Sequence, residues 1–199
     1  MGVKNKPSVV SLVGGIASGK TTVSDVFMNA GFEVFELSDE IKSYLASRGV
    51  ETPSRDQYFD AGNEMCGQGD KAFLMRQVIN KYVAPLLAEN PSAKVLLSGP
   101  RRPEDIMHLR EVFPGAVVVG INLSVADRIS RVLERARDID PADEAVIRKQ
   151  IDREWKDHQD PAGCNLEGVM PLCNEYIDAS GTIEETAISV RQLITRLIF

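Results

Sequence analysis

The chain has 199 residues, 43% of them hydrophobic and 26% charged, with a formal net charge of −6. Length and composition predict one compact domain, or one domain with a small mobile insert. The acidic balance argues against an extended nucleic-acid surface, which needs clustered positive charge, and the lack of any apolar run of about eighteen residues argues against a membrane-spanning helix.

The N-terminal residues carry Lys4 and Lys6, and the apolar stretch that follows is too short for a signal peptide, so a cytoplasmic protein is expected. Ser8–Val13 reads as a buried strand stopped by Gly14 and Gly15, and Gly19–Asn29 as a helix ended by Gly31. Phe32–Leu37 is a second strand, and Ser38 is placed to cap a helix over Asp39–Ser47. Thr52-Pro53-Ser54 opens another helix toward Met65, and Ala72–Leu87 is helical in pattern. Lys94–Leu97 is a third strand, with Pro103 as the first residue of a helix to Val112. Ala116–Leu123 is a fourth strand, and Ser124 caps a helix running to about Ala136. Pro141–Asp157 is a polar helix, and Asn174–Asp178 a fifth strand. Thr182 and Glu185 form a capping box for the last helix, whose stripe is Ile183, Ala187, Val190, Ile194 and Leu197. Alternating strands and helices predict a parallel sheet covered on both faces. Arg135–Gly163 is charged and poor in large apolar residues, and is expected to be a solvated flap.

Cys66, Cys164 and Cys173 are odd in number and widely spaced, which implies neither a zinc knuckle nor a disulfide framework. His108 and His158 have no paired carboxylate or serine and are expected at the surface. Trp155 and Phe73 are expected to pack rather than to stack on a base.

The strongest signal is Gly14-Gly15-Ile16-Ala17-Ser18-Gly19-Lys20-Thr21, which fits GxxxxGK[ST] after a strand and before a helix. Glycines let such a loop turn its N–H groups onto phosphate, and the helix N-terminus adds unpaired N–H groups and a positive dipole end. Lys20 places a cation between β- and γ-phosphates, and the Thr21 hydroxyl is the expected Mg²⁺ ligand. ATP, bound by Gly14 to Thr22, is the expected cofactor with Mg²⁺. No NKxD guanine-reading motif is present.

The run GGIASGKTT (Gly14–Thr22) resembles the start of dephospho-coenzyme A kinases and nucleoside monophosphate kinases. Leu37–Lys42, Pro53–Asp56 and Ala61–Glu64 are similar to microbial and archaeal adenylate-kinase-related or deoxynucleotide-monophosphate-kinase-like proteins. Leu97–Glu104 resembles that family's DGxR-x-P-E segment after the third strand, and Glu175–Thr182 its last strand and turn. The likeness covers nearly the whole chain. It implies a P-loop NTPase α/β fold, three-layer α/β/α with a five-stranded parallel sheet, in a single domain over residues 1–199. It also implies a helical substrate-binding segment near 40–87 and a short lid near 136–163. The implied activity is phosphorylation of a small nucleotide, a nucleoside or deoxynucleoside monophosphate. Dephospho-coenzyme A is the alternative acceptor, and a nucleotide-binding switch without transfer the alternative class.

The resemblance departs at Ser98, where the family has the Walker B Asp. Asp39 is expected to supply the missing carboxylate or to hold substrate. Arg101, after the third strand, is expected at the substrate phosphate, with Arg55 and, more weakly, Arg102 beside it. Arg128, Arg131 and Arg135 share one helix face, followed by Arg137, Arg148 and Arg153 across the flap; Arg131 and Arg135 are expected to reach the nucleotide. The oligomeric state is left open.

Overall fold

The computed structural model describes residues 9–136 and 140–198; Ser8 of the expected first strand and Arg137 lie outside them. Five parallel strands, β1 (Val9–Val13), β2 (Phe32–Glu36), β3 (Lys94–Ser98), β4 (Val117–Asn122) and β5 (Glu175–Asp178), are ordered β2-β3-β1-β4-β5. Helices cover both faces, so the three-layer α/β/α expectation holds. The strand positions expected from the sequence are met to within a residue or two.

Alternation along β1 shows how the two layers form. Val10 and Leu12 face a core shared with α1 (Lys20–Asn29) and α10 (Ile183–Ile198), which pack against each other. Val9 and Val13 face the opposite core, with α2 (Leu37–Ser47), α3 (Arg55–Cys66), α4 (Phe73–Val78) and α6 (Pro103–Val112). Both faces of β1 are fully covered, as the apolar run requires. Chain order reverses at β1: β2 and β3 lie on one side, β4 and β5 on the other. The loop after β1 therefore opens at the crevice where such sheets bind ligands.

Several boundaries differ from expectation for identifiable reasons. Helix α2 begins at Leu37 directly after β2, so Ser38 lies inside it and caps nothing. Ser54 caps α3 through a box with Gln57. The expected Ala72–Leu87 helix is divided: α4 passes through a π-turn (Ile79–Val83) into α5 (Ala84–Glu89). Pro85 lies in the first turn of α5, and its missing N–H removes the ordinary bond to the preceding turn. In α10 the stripe holds at Ala187, Val190 and Ile194, but Ile183 is exposed. His108 is buried, and neither ring nitrogen has a hydrogen-bond partner, contrary to the surface position expected.

The largest difference is in the charged segment. Asp143 caps α8 (Glu144–Trp155), its Oδ1 accepting from Ala145 N at 2.7 Å. Ile147 and Ile151 of α8 are buried with Ile129 and Val132 of α7 (Val125–Arg135), Ile16 and Phe59. An i, i+4 apolar pair is enough to seat an otherwise polar helix. Trp155, expected to pack, is 43% exposed. A short helix, α9 (Leu166–Val169), not anticipated from the sequence, precedes β5.

Candidate functional site

The loop after β1 is built as its glycines require. Gly19 has φ +96° and Ala17 +57°, left-handed values that turn successive N–H groups inward. Ser18 is buried, and its Oγ has no hydrogen-bond partner among the described residues. Lys20, the first residue of α1, folds back over the loop, its Nζ donating to Gly14 O at 2.7 Å and Gly15 O at 3.0 Å. Thr21 is exposed and Thr22 half-buried, so the Thr21 hydroxyl is open to an incoming ligand. Burial, reinforced by Arg101, holds the Lys20 ammonium well below the usual lysine range, while Glu36 pulls the other way.

Arginines from three distant stretches converge here. Arg128 is buried; its Nε donates to Ile16 O at 2.8 Å and its Nη2 to Glu154 Oε2 at 2.6 Å. Arg101 donates from Nη1 to Glu154 Oε1. Arg55 and Arg135 meet on Asp140: Arg55 Nη2 at 2.5 Å from Oδ1, and Arg135 in a two-point grip at 2.7 and 2.9 Å. Arg131 donates to Ala179 O at 2.5 Å, and its Nη1 would lie 3.6 Å from a Cβ on Gly19, beside the start of α1. Arg55, Arg101 and Arg128 all lie close enough to act electrostatically on Lys20, and Arg101 also feels Arg55 and acts on Arg128.

The remaining candidates fall elsewhere. Arg102 is buried and spent on Ala162 O at 2.6 Å, Gly62 O and Asn63 Oδ1, tying the chain after α8 to α3. Arg148 pairs with Glu144 at the surface, and Arg153 with Asp60 and Asp157. Asp39 is exposed and paired with Lys42 at 2.9 Å, because α2 starts two residues before it and carries it outward. The carboxylate at the end of β2 is Glu36. It pairs in register with Ser98, and its Oε2 would lie 3.8 Å from a Cβ on Gly99. Ser98 is fully buried, with an Oγ that has no partner among the described residues. Asp105 fixes the turn after β3, its Oδ2 accepting from Arg101 N at 2.9 Å and Arg102 N at 3.0 Å.

Arg128 as a central cation, Glu36, Asp140 and Glu154 were not singled out from the sequence. Glu154 left one trace there: with Ile147 and Ile151 it sits at i, i+4, i+7, a carboxylate on an apolar helix face. Burying an unpaired charge is costly, so such a position foretells a cationic partner.

A cavity of about 520 Å³ opens beside the loop, between the ends of β4 and β5, and includes Gly15, Ser18, Arg128, Trp155, Asp178 and Ser180 in its lining. Among the described residues, no cluster of three or more His, Cys, Asp or Glu forms a metal site by itself. No described helix is long and apolar enough to cross a membrane.

No family model matches the chain. A UPF0200 protein of Methanoculleus marisnigri is 25% identical over 189 residues, covering 95% of this chain and 96% of the relative. A UPF0200 protein of Methanoregula boonei is 26% identical, covering 94% and 96%. Among solved structures, a gluconokinase from Sinorhizobium meliloti matches with a TM-score of 0.56 and 16% identity, over 98% of this chain and 95% of that one. A shikimate kinase from Bacteroides thetaiotaomicron matches at 0.58 and 15%, over 94% and 98%. At such identities the likeness is one of fold, and the chain has the fold of the P-loop kinases.

Proposed function

We propose that the protein transfers the terminal phosphoryl group of ATP to a small phosphorylated acceptor, with a nucleoside or deoxynucleoside monophosphate as the leading substrate class. The observation that carries this reading is the gathering of Arg55, Arg101 and Arg128 within electrostatic range of Lys20, with Arg135 joined to Arg55 through Asp140. Phosphoryl transfer needs little from the protein beyond position and electrostatic stabilisation, and a guanidinium grips phosphate at two points. Donor phosphates belong over the Gly14–Thr21 N–H groups. The base and ribose belong in the cavity at the ends of β4 and β5. Arg55 and Arg135, farther along the crevice, suit the acceptor phosphate. Residues near 40–87 then serve as the acceptor-binding segment, and residues near 136–163 as a lid.

The donor set fits a magnesium ion. Thr21 offers an open hydroxyl, and Ser98 Oγ is buried without a partner next to Glu36 in the register. Thr21 would hold the ion directly, and Ser98 and Glu36 would orient its waters. Bound there, Mg²⁺ neutralises charge on the transferring group.

Glu36 also favours a second reading, dephospho-coenzyme A kinase. A hydroxyl acceptor needs a general base, and Glu36 is the carboxylate at the crevice end of β2. A coupled ADP-release assay across nucleoside monophosphates and dephospho-coenzyme A tests both. Turnover with a monophosphate supports the first, and turnover with dephospho-coenzyme A alone supports the second. ATP binding without turnover on any acceptor would replace both with a nucleotide-dependent switch.

A further inference from the structure

The loop that should hold phosphate is already in contact with an anion. Glu154 is fully buried, and its Oε2 accepts from the backbone N–H of Ile16 at 2.6 Å and from Arg128 Nη2 at 2.6 Å, while Oε1 takes Arg101. One backbone donor of the loop and two guanidinium groups are what a phosphate oxygen would seek there. The fit is close enough that a Cβ on Gly15 would stand 2.6 Å from Oε2. Among the described residues Lys20 hydrogen-bonds only carbonyl oxygens, and it feels Arg101, Arg128 and Arg55 as repulsion against the attraction of Glu36. A polyphosphate brings more charge and more acceptor oxygens than one carboxylate, and it satisfies Lys20 as well.

We infer that Glu154 is a built-in stand-in for a nucleotide phosphate, and that ATP must displace it to occupy the loop. The inference rests on the loop being a nucleotide site. Its consequence is mechanical, because Glu154 sits on α8, whose Ile147 and Ile151 pack on α7 and Ile16. Expelling the carboxylate frees Arg101 and Arg128 for the ligand and releases one of the ties that hold α8 to the loop. Asp140 repeats the arrangement ahead of α8, holding Arg55 and Arg135. The segment that carries both carboxylates thus keeps four arginines gathered when no phosphate is present. Like charges at that density would otherwise repel one another.

The test is calorimetric titration of the full chain with ATP and with inorganic tripolyphosphate. Glu154→Gln keeps an oxygen for Ile16 N and removes the charge, and should tighten tripolyphosphate binding about tenfold or more. Glu154→Asp keeps the charge but shortens the reach, and should tighten it less. A carboxylate that merely braced the loop would do the reverse, so equal or weaker binding by folded variants overturns the inference while leaving the ATP site intact. The wild type gives a second reading that needs no variant. Trp155, the one tryptophan in the chain, follows Glu154 and lines the cavity beside the loop, so its emission should change as tripolyphosphate saturates. Saturation by calorimetry with unchanged emission counts against displacement. If neither ATP nor tripolyphosphate binds any form, the nucleotide site itself is refuted, and this inference with it.

Discussion

The phosphate loop and the ring of charge around it are made by opposite means. Gly14 to Thr21 is contiguous: its donors are backbone groups, its shape comes from left-handed values at Ala17 and Gly19, and β1 and α1 fix it from either end. The ring is assembled from a distance. Arg55 comes from α3, Arg101 from the turn after β3, Arg128 and Arg135 from α7, and the carboxylates from the chain at and beyond Asp140. A contiguous site survives as long as its strand and helix do. An assembled one depends on packing among α3, α7 and α8, which α8 secures with two isoleucines. We expect the loop, with Arg101 and Arg128 of the ring, to supply donor affinity, and Arg55 and Arg135 to supply acceptor affinity.

The largest effect should come from the loop itself. Lys20→Ala removes the cation proposed to bridge donor phosphates, and turnover should fall on the order of a thousandfold, the upper scale for losing one preorganised electrostatic group. Wild-type protein should melt at a higher temperature with millimolar ATP and Mg²⁺, because a ligand bound only to the folded state stabilises it by mass action. The variant should lose most of that shift. An identical shift in wild type and variant would show that ATP binds elsewhere.

Next in size is the carboxylate at the sheet edge. Glu36→Gln should lower turnover about a hundredfold while ATP affinity changes far less. Asp39→Asn, at an exposed ion pair, should stay within about threefold, since surface pairs contribute little. Because Ser98 faces Glu36 across the strand register, Ser98→Asp should restore part of the Glu36→Gln loss. If instead Asp39→Asn is the damaging change, the helix that carries it must move on binding. If Ser98→Asp creates activity where the native chain has none, the switch reading prevails.

These two comparisons also mark what the sequence could and could not reveal. The sheet, its order of elements and the loop were legible because they rest on local signals: an apolar run, glycines at fixed spacing, Ser124 and Thr182 as caps. Pro103 is the first residue of α6, as its fixed φ suits it to be. The Asp39 expectation failed to foresee how β2 ends. Placing the helix start two residues late, after a cap at Ser38 rather than at Leu37, puts Asp39 at the sheet edge where Glu36 in fact lies. Arg101 was singled out by its position after the third strand, Arg135 by its helix face and Arg55 by the block that carries the resemblance; Arg55 and Arg101 act electrostatically on Lys20, and Arg135 shares Asp140 with Arg55. Their partners Asp140 and Glu154 were not identified: the place of Glu154 on an apolar helix face hints at a cationic partner without naming it, and pairing across as many as 85 residues leaves no trace of which residues meet. Arg102 illustrates the converse: adjacent to Arg101 in sequence, it turns into the core to satisfy carbonyl groups.

A smaller effect separates acceptor from donor within the ring. Arg55→Ala should raise the acceptor KM about tenfold, the scale of one lost phosphate contact of roughly 1.4 kcal/mol, and leave the ATP-induced melting shift unchanged. Arg55 pairs with Asp140 rather than with the loop. Equal losses for donor and acceptor would mean that the ring acts as one site, and the division between its donor and acceptor arginines would fall.

The last effect, on stability rather than on turnover, concerns Asp105, which supports the ring without belonging to it. Its Oδ2 holds the N–H groups of Arg101 and Arg102, and its Oδ1 has no partner. Burial pushes its carboxyl up from 3.8 to about 6, against the pull of Arg102. An unfolded chain gives up this proton near the ordinary aspartate value, whereas the folded chain keeps it to about pH 6. In that window the folded form binds more protons, so stability falls as pH rises from about 4 to 6 and levels off above. The loss is at most about 3 kcal/mol, because a tenfold difference in proton affinity between the two states is worth roughly 1.4 kcal/mol. Asp105→Asn keeps an oxygen for the two N–H groups and cannot ionise. Its stability relative to wild type, measured by urea unfolding, should therefore climb across that window and then hold steady. A difference that stays constant from pH 4 to 7.5 would exclude Asp105 as the titrating group. The turn that carries Arg101 would then be held by a carboxylate that is charged throughout.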